Sequence, residues 1–509
     1  MVLQLAALSS LHLLMEACWP ALDIAGQLQC TEAVMNKISF AFGDVVFDDC
    51  RLAFLIKVLE MKRLFEHEDC GKLLQSIIFV ILSHLRARTR LAMTVQCLSA
   101  LCQMMTIKND ERLILPAVMH LMEPLVGCIL SVDRDNTLLA HLFVCLYHLF
   151  KLMTCACYEA LFKQLRDSDG KKRLKDFLLR VFLVFRDLIK SAESAENASK
   201  MLFPARWVRF KLLLNNIIMV AMQELSEALC NEFLPVATFD IQLWHTYIAL
   251  CAAFITQPIL QQVETHSFSK ELFERYGDMR VLMCFQLASL WSHLDERQCH
   301  FLPTMVASFV DISLIPHQDL RYIAIPMVVS FLIGEDLRAG TVGMVEGELF
   351  DKLDTCFAEG MGDEGYKTSF VEYLSVRVKN ANVTDIERQR LRELTQRLNC
   401  LMELLLEYQT VMKTKCVHRT AFCLLSLINF YRYDVVRDEN CHRFIDHLRF
   451  LLKGEGYTAE VAACMKLQAD SLTWSGNALT ASGKYAAQTE WARKELLYQA
   501  IIAQYNAAQ

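Results

Sequence analysis

Cysteine and histidine are the residues of this sequence whose spacing could form a metal site. Three close groupings occur: Cys155-Ala156-Cys157, Cys299-His300, and Cys441-His442 with His447. Only His442 and His447 have the spacing of a ligand pair, and no C-x-x-C pair precedes them to complete a zinc site. Buried thiols and incidental histidines are the favoured interpretation, so we predict no metal ligand.

Phosphate-binding and nucleophile motifs are also missing from the sequence. Gly340, Gly343 and Gly347 have neither the G-x-G-x-x-G spacing nor the G-K-[ST] ending of a P-loop. No G-x-S-x-G elbow and no H-E-x-x-H motif occurs. The acidic pairs Asp48-Asp49 and Asp363-Glu364 fall in polar breaks or at predicted helix starts, where carboxylates favour the helix dipole. We therefore predict no catalytic residue, no cofactor-binding residue and no cofactor.

Two basic runs could bind anions. They are Arg86, Arg88 and Arg90, and then Lys171, Lys172, Arg173 and Lys175. We place each run at a helix edge beside a loop, where two interpretations remain open: charges solvated at a helix terminus, or a contact with a phospholipid or a partner. The formal charge of the whole chain is −6 at pH 7, which gives no field to attract nucleic acid, and no nucleic-acid partner is predicted.

The elements that carry these residues are predicted to be helices. Hydrophobic residues make up 54% of the 509, while glycine and proline number only 17 and 9, a balance typical of a helical protein with much buried surface. Between 172 and 190 the apolar residues follow one helix face, with Asp169-Gly170 as the break before it. No segment has the alternation of a strand. The predicted helices are 2–16, 45–63, 71–86, 90–106, 112–130, 136–165, 172–190, 205–230, 240–256, 270–294, 301–314, 318–333, 343–358, 365–380, 385–413, 418–434, 439–453, 458–472 and 488–505.

Many helices joined by short loops predict stacked helical pairs. A clean repeat is not found, so the fold class is all-α, an irregular armadillo/HEAT-like helical solenoid and not a regular tetratricopeptide array. The one long break, 191–204, is predicted to be a surface loop.

The cysteines and the apolar segments bear on the compartment. Most of the 20 cysteines lie inside apolar helical runs, where a free thiol behaves as a small buried hydrophobe. A reducing, cytoplasmic location is the simpler inference. Residues 1–14 are apolar but lack the basic start of a signal peptide, and no uninterrupted apolar run reaches the length of a membrane span. We expect a soluble or peripheral protein.

The most distinctive sequence motifs lie in 273–333. Gly277 and three prolines, Pro303, Pro316 and Pro326, are predicted to serve turns and bends, and Trp291 is predicted to be a core residue. The notable motifs are Tyr276-Gly277-Asp278-Met279-Arg280, Trp291, Phe301-Leu302-Pro303, Leu314-Ile315-Pro316 and Ile325-Pro326. Further motifs on either side are 174–188, Trp207, 216–218, Gln257-Pro258, 348–354, 362–367, 404–408 and 427–431.

These motifs resemble the central helical region of the dedicator-of-cytokinesis (DOCK) family, close to its Rac-activating branch. Past 434, the stretches 457–463, 472–474 and 494–502 are similar to the start of the family's DOCKER exchange domain. The resemblance implies two domains. Residues 1–434 would form the armadillo/HEAT-like scaffold, and 435–509 a truncated, helical, TPR-like first lobe of the DOCKER domain.

The resemblance also implies a function. The chain would be a fragment of a guanine nucleotide exchange factor for Rac-like small GTPases, in signalling to the actin cytoskeleton, and would lack the lobes that grip the GTPase. An ELMO-type partner and peripheral recruitment to the plasma membrane would depend on regions absent here. The whole protein would be cytoplasmic.

Two other classes of function stay open. The first is a stand-alone helical-repeat scaffold that binds protein partners along a concave surface. The second is an undetected hydrolase or transferase, which would require a deep pocket with convergent polar groups.

Overall fold

The computed structural model describes most of the chain, and every regular element in the described part is a helix. The described residues are 10–15, 17–38, 45–133, 137–191, 203–204, 206–261, 273–340, 343–379, 385–414, 416–434, 438–454 and parts of 460–467. The predicted loop 191–204 and the predicted helix 488–505 fall almost wholly outside them, as do most of 458–472 and the motifs assigned to a DOCKER domain. The predicted domain boundary at 434 stays a prediction.

The chain divides into two units, Met1–Gln286 and Leu287–Gln509. The helices of the first unit are α1 (Ile24–Ile38), α2 (Val45–Glu60), α3 (Gly71–Ala87), α4 (Leu91–Lys108), α5 (Glu111–Ile129), α6 (Thr137–Leu152), α7 (Cys155–Ser191), α8 (Val208–Phe233), α9 (Ile241–Thr256) and the short α10 (Pro258–Gln261). Helix α11 (Met279–Leu294) contains the boundary.

Packing in the first unit follows an alternating rule. Each helix packs on the helix two places further along, so that α1, α3, α5, α7 and α9 form one layer and α2, α4, α6 and α8 form the other. Each helix needs two apolar faces for this, one toward the next helix in its layer and one toward the other layer. Helix α3 supplies them with a wide buried surface, formed by Leu73, Leu74, Ile77, Ile78, Val80 and Ile81. This is the arrangement of a helical-repeat stack.

The second unit repeats the rule over α12 (Val306–Leu314), α13 (Gln318–Ala339), α14 (Gly343–Ala358), α15 (Glu364–Val378) and α16 (Asp385–Thr414). Helix α14 packs on α12 and α16, and α15 packs on α13. Helices α17 (Val417–Asn429) and α18 (Asp438–Gly454) follow as a closely packed pair. The predicted all-α, irregular helical stacking is confirmed, with helices from 9 to 37 residues long among those of eight or more.

Two predicted helix boundaries are wrong around α6 and α7. The predicted helix 136–165 is two helices, because α6 ends at Leu152 and the chain turns by 112° before α7. The predicted break at Asp169-Gly170 lies inside α7. Arg166 and Lys171, one turn before and just after Gly170, both bind Glu232 of α8, at 2.9 and 3.0 Å. These ion pairs offset the weak helix propensity of the glycine.

Helix α1 was missed because its apolar pattern is broken by Gly26, Gln27 and Thr31. The structure shows what starts it. The Asp23 carboxylate accepts a hydrogen bond from the Gly26 amide at 2.8 Å, as an N-cap residue does.

The stretch 273–333 has the predicted core and turns. Trp291 is 3% exposed, and its ring lies 5.9, 5.0 and 4.8 Å from the rings of Phe301, Phe309 and Phe331. Its indole N–H donates to Ser330 Oγ at 2.8 Å. Gly277 has φ of +74°, a turn conformation that side chains other than glycine's rarely adopt.

The three prolines have different outcomes. Pro303 and Pro316 lie in the connections on either side of α12, as predicted. Pro326 does not interrupt α13, which continues through it to Ala339.

All the cysteines lie in the described part of the chain, and none of them forms a disulfide. Those predicted to be buried, Cys97, Cys102, Cys145, Cys251, Cys423 and Cys464, are buried. Helix α5 alone among the described helices is long and apolar enough to cross a membrane by itself, while α6 with the start of α7 passes only as a bent pair. In α5 this composition has a simpler cause, since the helix packs on α3, α6 and α7.

Candidate functional site

A basic cavity lies on the first unit, across three successive helices of one layer. It has a volume of about 520 Å³ and is formed by the end of α3, the second half of α5 and the middle of α7. Its walls contain four arginines and one carboxylate, a net charge of +3. The lining residues are Leu85, Arg86, Arg88, Glu123, Pro124, Gly127, Cys128, Leu130, Ser131, Arg173 and Arg180.

The end of α3 positions two of the arginines. Arg88 follows the last residue of α3 and takes a left-handed conformation, φ 55° and ψ 34°, with its amide donating to His84 O and Leu85 O. Such a residue closes a helix and turns the chain away from its axis. The buried His84 ring holds the turn through a 2.9 Å hydrogen bond to Thr89 Oγ1. Arg86 and Arg88 therefore project from a fixed corner.

Helix α7 supplies the other two arginines. Arg173 and Arg180 are seven residues apart, two helical turns, so they share one face. Arg173 makes a two-point ion pair with Glu123 of α5, with Nε 3.2 Å from Oε1 and the terminal nitrogen 2.5 Å from Oε2. This pair fixes the Arg173 side chain between α5 and α7.

The second half of α5 and the turn after it also line the cavity. Gly127 and Ser131 present little bulk, and a Cβ placed on Gly127 would meet no atom within 4 Å. Burial raises the pKa of the Cys128 thiol, and the charge of Arg88 opposes that rise. The charge of Arg88 is therefore close enough to Cys128 to influence it.

Three of the four arginines are exposed and unpaired. Within the residues that the structure describes, Arg86, Arg88 and Arg180 make no ion pair. Since arginine stays charged at any relevant pH, three guanidinium groups face the same space with no counter-charge of their own.

Both predicted basic runs contribute residues to this cavity, but only Arg86, Arg88 and Arg173 of the two runs line it. Arg90 turns to Asp49 of α2, with Nε 2.6 Å from Oδ1. Lys171 binds Glu232, and Lys175 binds Asp240, the N-cap of α9. The second run lies inside α7, so its predicted place at a helix edge is wrong.

Sequence reasoning missed Arg180 and Glu123. A signal for Arg180 was present, since it lies seven residues after Arg173 on the polar side of the predicted helix 172–190. Nothing in the sequence pointed to Glu123, which reaches the site only through the packing of α5 on α7.

The cysteine and histidine groupings noted in the sequence are not brought together as a set of metal ligands in the described ranges. Cys155 Sγ donates to Glu224 Oε1 at 3.7 Å, while Cys157 is fully buried. Cys441 Sγ donates to Ile428 O at 3.9 Å, and His447 Nδ1 lies 2.8 Å from Tyr408 OH. In the described ranges no group of three or more such side chains is arranged to hold a metal ion.

Two of the three glycines and three of the acidic residues lie at helix ends, while Gly347 is buried inside α14. Gly340 closes α13 in a left-handed conformation and Gly343 begins α14. Asp363 is the N-cap of α15, with its carboxylate 2.7 Å from the Tyr366 amide, and Glu364 follows in the first turn. Asp48 lies in the first turn of α2.

A second cavity, beside Lys211, is too small for a substrate. Its volume is about 40 Å³, room for a water molecule. Burial lowers the pKa of Lys211 there. The buried amides of Asn215 and Gln257 close its wall by bonding each other at 3.1 Å.

The two-layered stacking defines a helical-repeat scaffold, a class that binds partners along surfaces formed by successive helices. Residues 2–373 match the family model described as the dedicator of cytokinesis (DOCK) TPR region. This chain belongs to the dedicator of cytokinesis family.

Individual relatives agree with the family match. Dedicator of cytokinesis protein 4 of Homo sapiens is 37% identical over 370 residues, which cover 71% of this chain and 18% of that protein. Dedicator of cytokinesis protein 3 of Mus musculus is 34% identical over 370 residues, with the same coverage. The match spans less than a fifth of the length of these relatives.

Proposed function

We propose that this chain acts as the helical scaffold of a DOCK-type guanine nucleotide exchange factor for Rac-like small GTPases. The observation that carries the proposal is the match of residues 2–373 to the helical region of the family. The motifs behind the match support it, because they are structural: Trp291 forms a core cluster, and Asp363 begins a helix.

The scaffold role follows from stiffness. Helix α7 alone has 37 residues and is about 55 Å long at 1.5 Å per residue. Its neighbours on both sides bury it, with Phe177, Phe182 and Phe185 fully enclosed. Within the first unit, helices packed in this way resist bending, which suits part of a spacer between a catalytic part and a membrane-binding part.

In this proposal the described helices do not themselves act on the GTPase. Nucleotide release belongs to exchange-domain lobes, and an ELMO-type partner engages another part of the full-length protein. The full-length protein works in the cytoplasm and at the plasma membrane, in signalling to the actin cytoskeleton.

The test is a nucleotide-release assay with the 509-residue chain. Rac loaded with a fluorescent guanine nucleotide is mixed with the purified chain, and we expect release at the intrinsic rate of Rac. An active exchange factor serves as the positive control. Acceleration that grows with the concentration of the chain would show that these residues act on the GTPase, and the scaffold role would then be wrong.

A further inference from the structure

The basic cavity is an unusual feature for a chain with a formal charge of −6. It gathers Arg86, Arg88, Arg173 and Arg180 around about 520 Å³, and Glu123 is the one acidic residue in its lining. Positive charges held together without counter-charges repel one another, which costs free energy unless an anion is bound. We propose that this cavity binds a compact, multiply phosphorylated small molecule.

The donor geometry favours phosphate. A guanidinium group presents a planar fork of N–H donors that matches two phosphate oxygens. Arg86 and Arg88 approach from the corner after α3, and Arg180 approaches from α7 on another wall. Donors on separate walls suit a ligand with phosphates on different sides of a small ring.

The size and shape of the cavity limit the ligand. Small-molecule sites have volumes of about 300–1,000 Å³, and the volume here lies in that range. Three basic residues on the flanks of the cavity, Arg90, Lys171 and Lys175, are neutralised by acidic partners. A nucleic acid would need a continuous basic stripe.

Glu123 has a specific part in this site. It holds Arg173 in place by the two-point ion pair, but its carboxylate also repels an anion in the cavity. The charge repulsion opposes the binding of a polyanion, and the ion pair occupies the Arg173 guanidinium. Removing the carboxylate while keeping the shape should tighten binding.

The experiment is calorimetric titration of the 509-residue chain with inositol hexakisphosphate as the probe. We expect saturable binding at one site that weakens as salt is raised. Arg88→Gln and Arg180→Gln should each weaken binding about tenfold, since a charge-assisted hydrogen bond is lost. Both side chains are exposed, so neither change should alter the melting temperature.

Two variants provide the controls. Lys172→Gln removes an exposed charge from α7 outside the cavity and should leave the affinity unchanged. Glu123→Gln should tighten binding several-fold. Unchanged affinity in the Arg88→Gln, Arg180→Gln double variant, or equal losses in Lys172→Gln, would overturn the proposal.

Further probes distinguish the source of the phosphates. Vesicles of phosphatidylcholine with a phosphatidylinositol polyphosphate test a lipid headgroup, and inorganic phosphate tests a single anion. Vesicle binding that requires Arg88 and Arg180 supports the proposal with a lipid source, and binding of only the free probe supports it with a soluble source. Binding of inorganic phosphate as tightly as the hexakisphosphate contradicts a polyphosphate site, as does no binding of any probe.

Discussion

At the scale of a single residue, Trp291 shows that the distinctive motifs of 273–333 have a structural role. Its ring lies within 6 Å of three phenylalanine rings and is almost completely removed from water. Aromatic pairs at such separations add to the stability gained from burial alone. The indole N–H also has a partner, Ser330 Oγ, so the burial leaves no polar group unsatisfied.

The first prediction concerns this cluster. Trp291→Ala should lower the free energy of unfolding of the second unit by about 3–5 kcal/mol, because it leaves a cavity among Phe301, Phe309 and Phe331. Phe285→Ala is the matched control on the same helix, since that ring is 56% exposed, and its effect should be small. Thermal unfolding followed by circular dichroism checks both. Equal losses would mean that the cluster is not a core.

Asp363 carries the second prediction, which is one of pH dependence. Burial alone would raise the pKa of this carboxyl group. The hydrogen bonds from Arg321 and from the Tyr366 amide outweigh burial, and they lower the pKa below its ordinary value of 3.8. The ionised group therefore stabilises the fold above that value, and the stability is lost as the pH falls through the lowered pKa.

Asp363→Asn keeps an oxygen for the helix cap and removes the charge. At neutral pH it should reduce stability by less than about 1 kcal/mol, because the side chain is 46% exposed and screened by solvent. The difference from the unmodified protein should shrink as the pH falls below 3.8 and vanish only once the pH is below the lowered pKa of Asp363. Asp385→Asn, at a side chain 96% exposed, is the control variant and is melted beside it. If the stability difference between Asp363→Asn and the unmodified protein grew as the pH fell, the ionised carboxylate would not be stabilising.

At the scale of elements, the connection from α14 to α15 depends on two glycines with different constraints. Gly360 and Gly362 have φ of +86° and +89°, so a side chain is strained at either position. A Cβ on Gly362 would also lie 2.5 Å from the buried ring of Phe357, whereas a Cβ on Gly360 would meet no atom within 4 Å.

The third prediction compares these two positions. Gly360→Ala should cost about 1–2 kcal/mol, the strain of a left-handed backbone. Gly362→Ala should cost clearly more, because the Phe357 ring must move as well. Chemical denaturation of the two variants side by side measures the difference. If both variants lost the same free energy of unfolding, the close approach of Phe357 to Gly362 would not affect stability.

The element scale also shows what the sequence can predict. Strong apolar stripes located most helices to within a few residues, as for α3 and α14. The errors arose where long-range pairing overrides local signals: Glu232 of α8 holds α7 together on both sides of Gly170. The helix α1 was missed because its own stripe is weak. No local pattern reports such tertiary contacts.

The candidate site was predictable only in part for the same reason. The basic residues were visible in the sequence, but which ones stay open depends on acidic partners from other helices. Asp49 of α2 and Asp240 at α9 neutralise Arg90 and Lys175, while Arg86 and Arg88 face the cavity. Those partners lie some 40–65 residues away along the chain, beyond the reach of periodicity.

At the scale of the whole molecule, each unit contains a stack in which helices pack on their second neighbours, α1 to α9 in the first unit and α12 to α16 in the second. Such stacks derive stability from nearest-neighbour interfaces and can be exchanged between relatives if those interfaces are kept. The relatives here are 34–37% identical over the matched region. We therefore expect that this helical segment can replace the corresponding one in a relative.

The most direct measurement is nucleotide release from Rac by a chimera. Residues 2–373 of this chain replace the matched segment of dedicator of cytokinesis protein 4, and a second chimera carries Trp291→Ala in the same segment. If the segment is an exchange-factor scaffold, the first chimera should release nucleotide as fast as the parent protein under matched conditions, and the second should lose activity together with thermal stability. A first chimera that folds and melts like the parent but does not accelerate release would contradict the scaffold role.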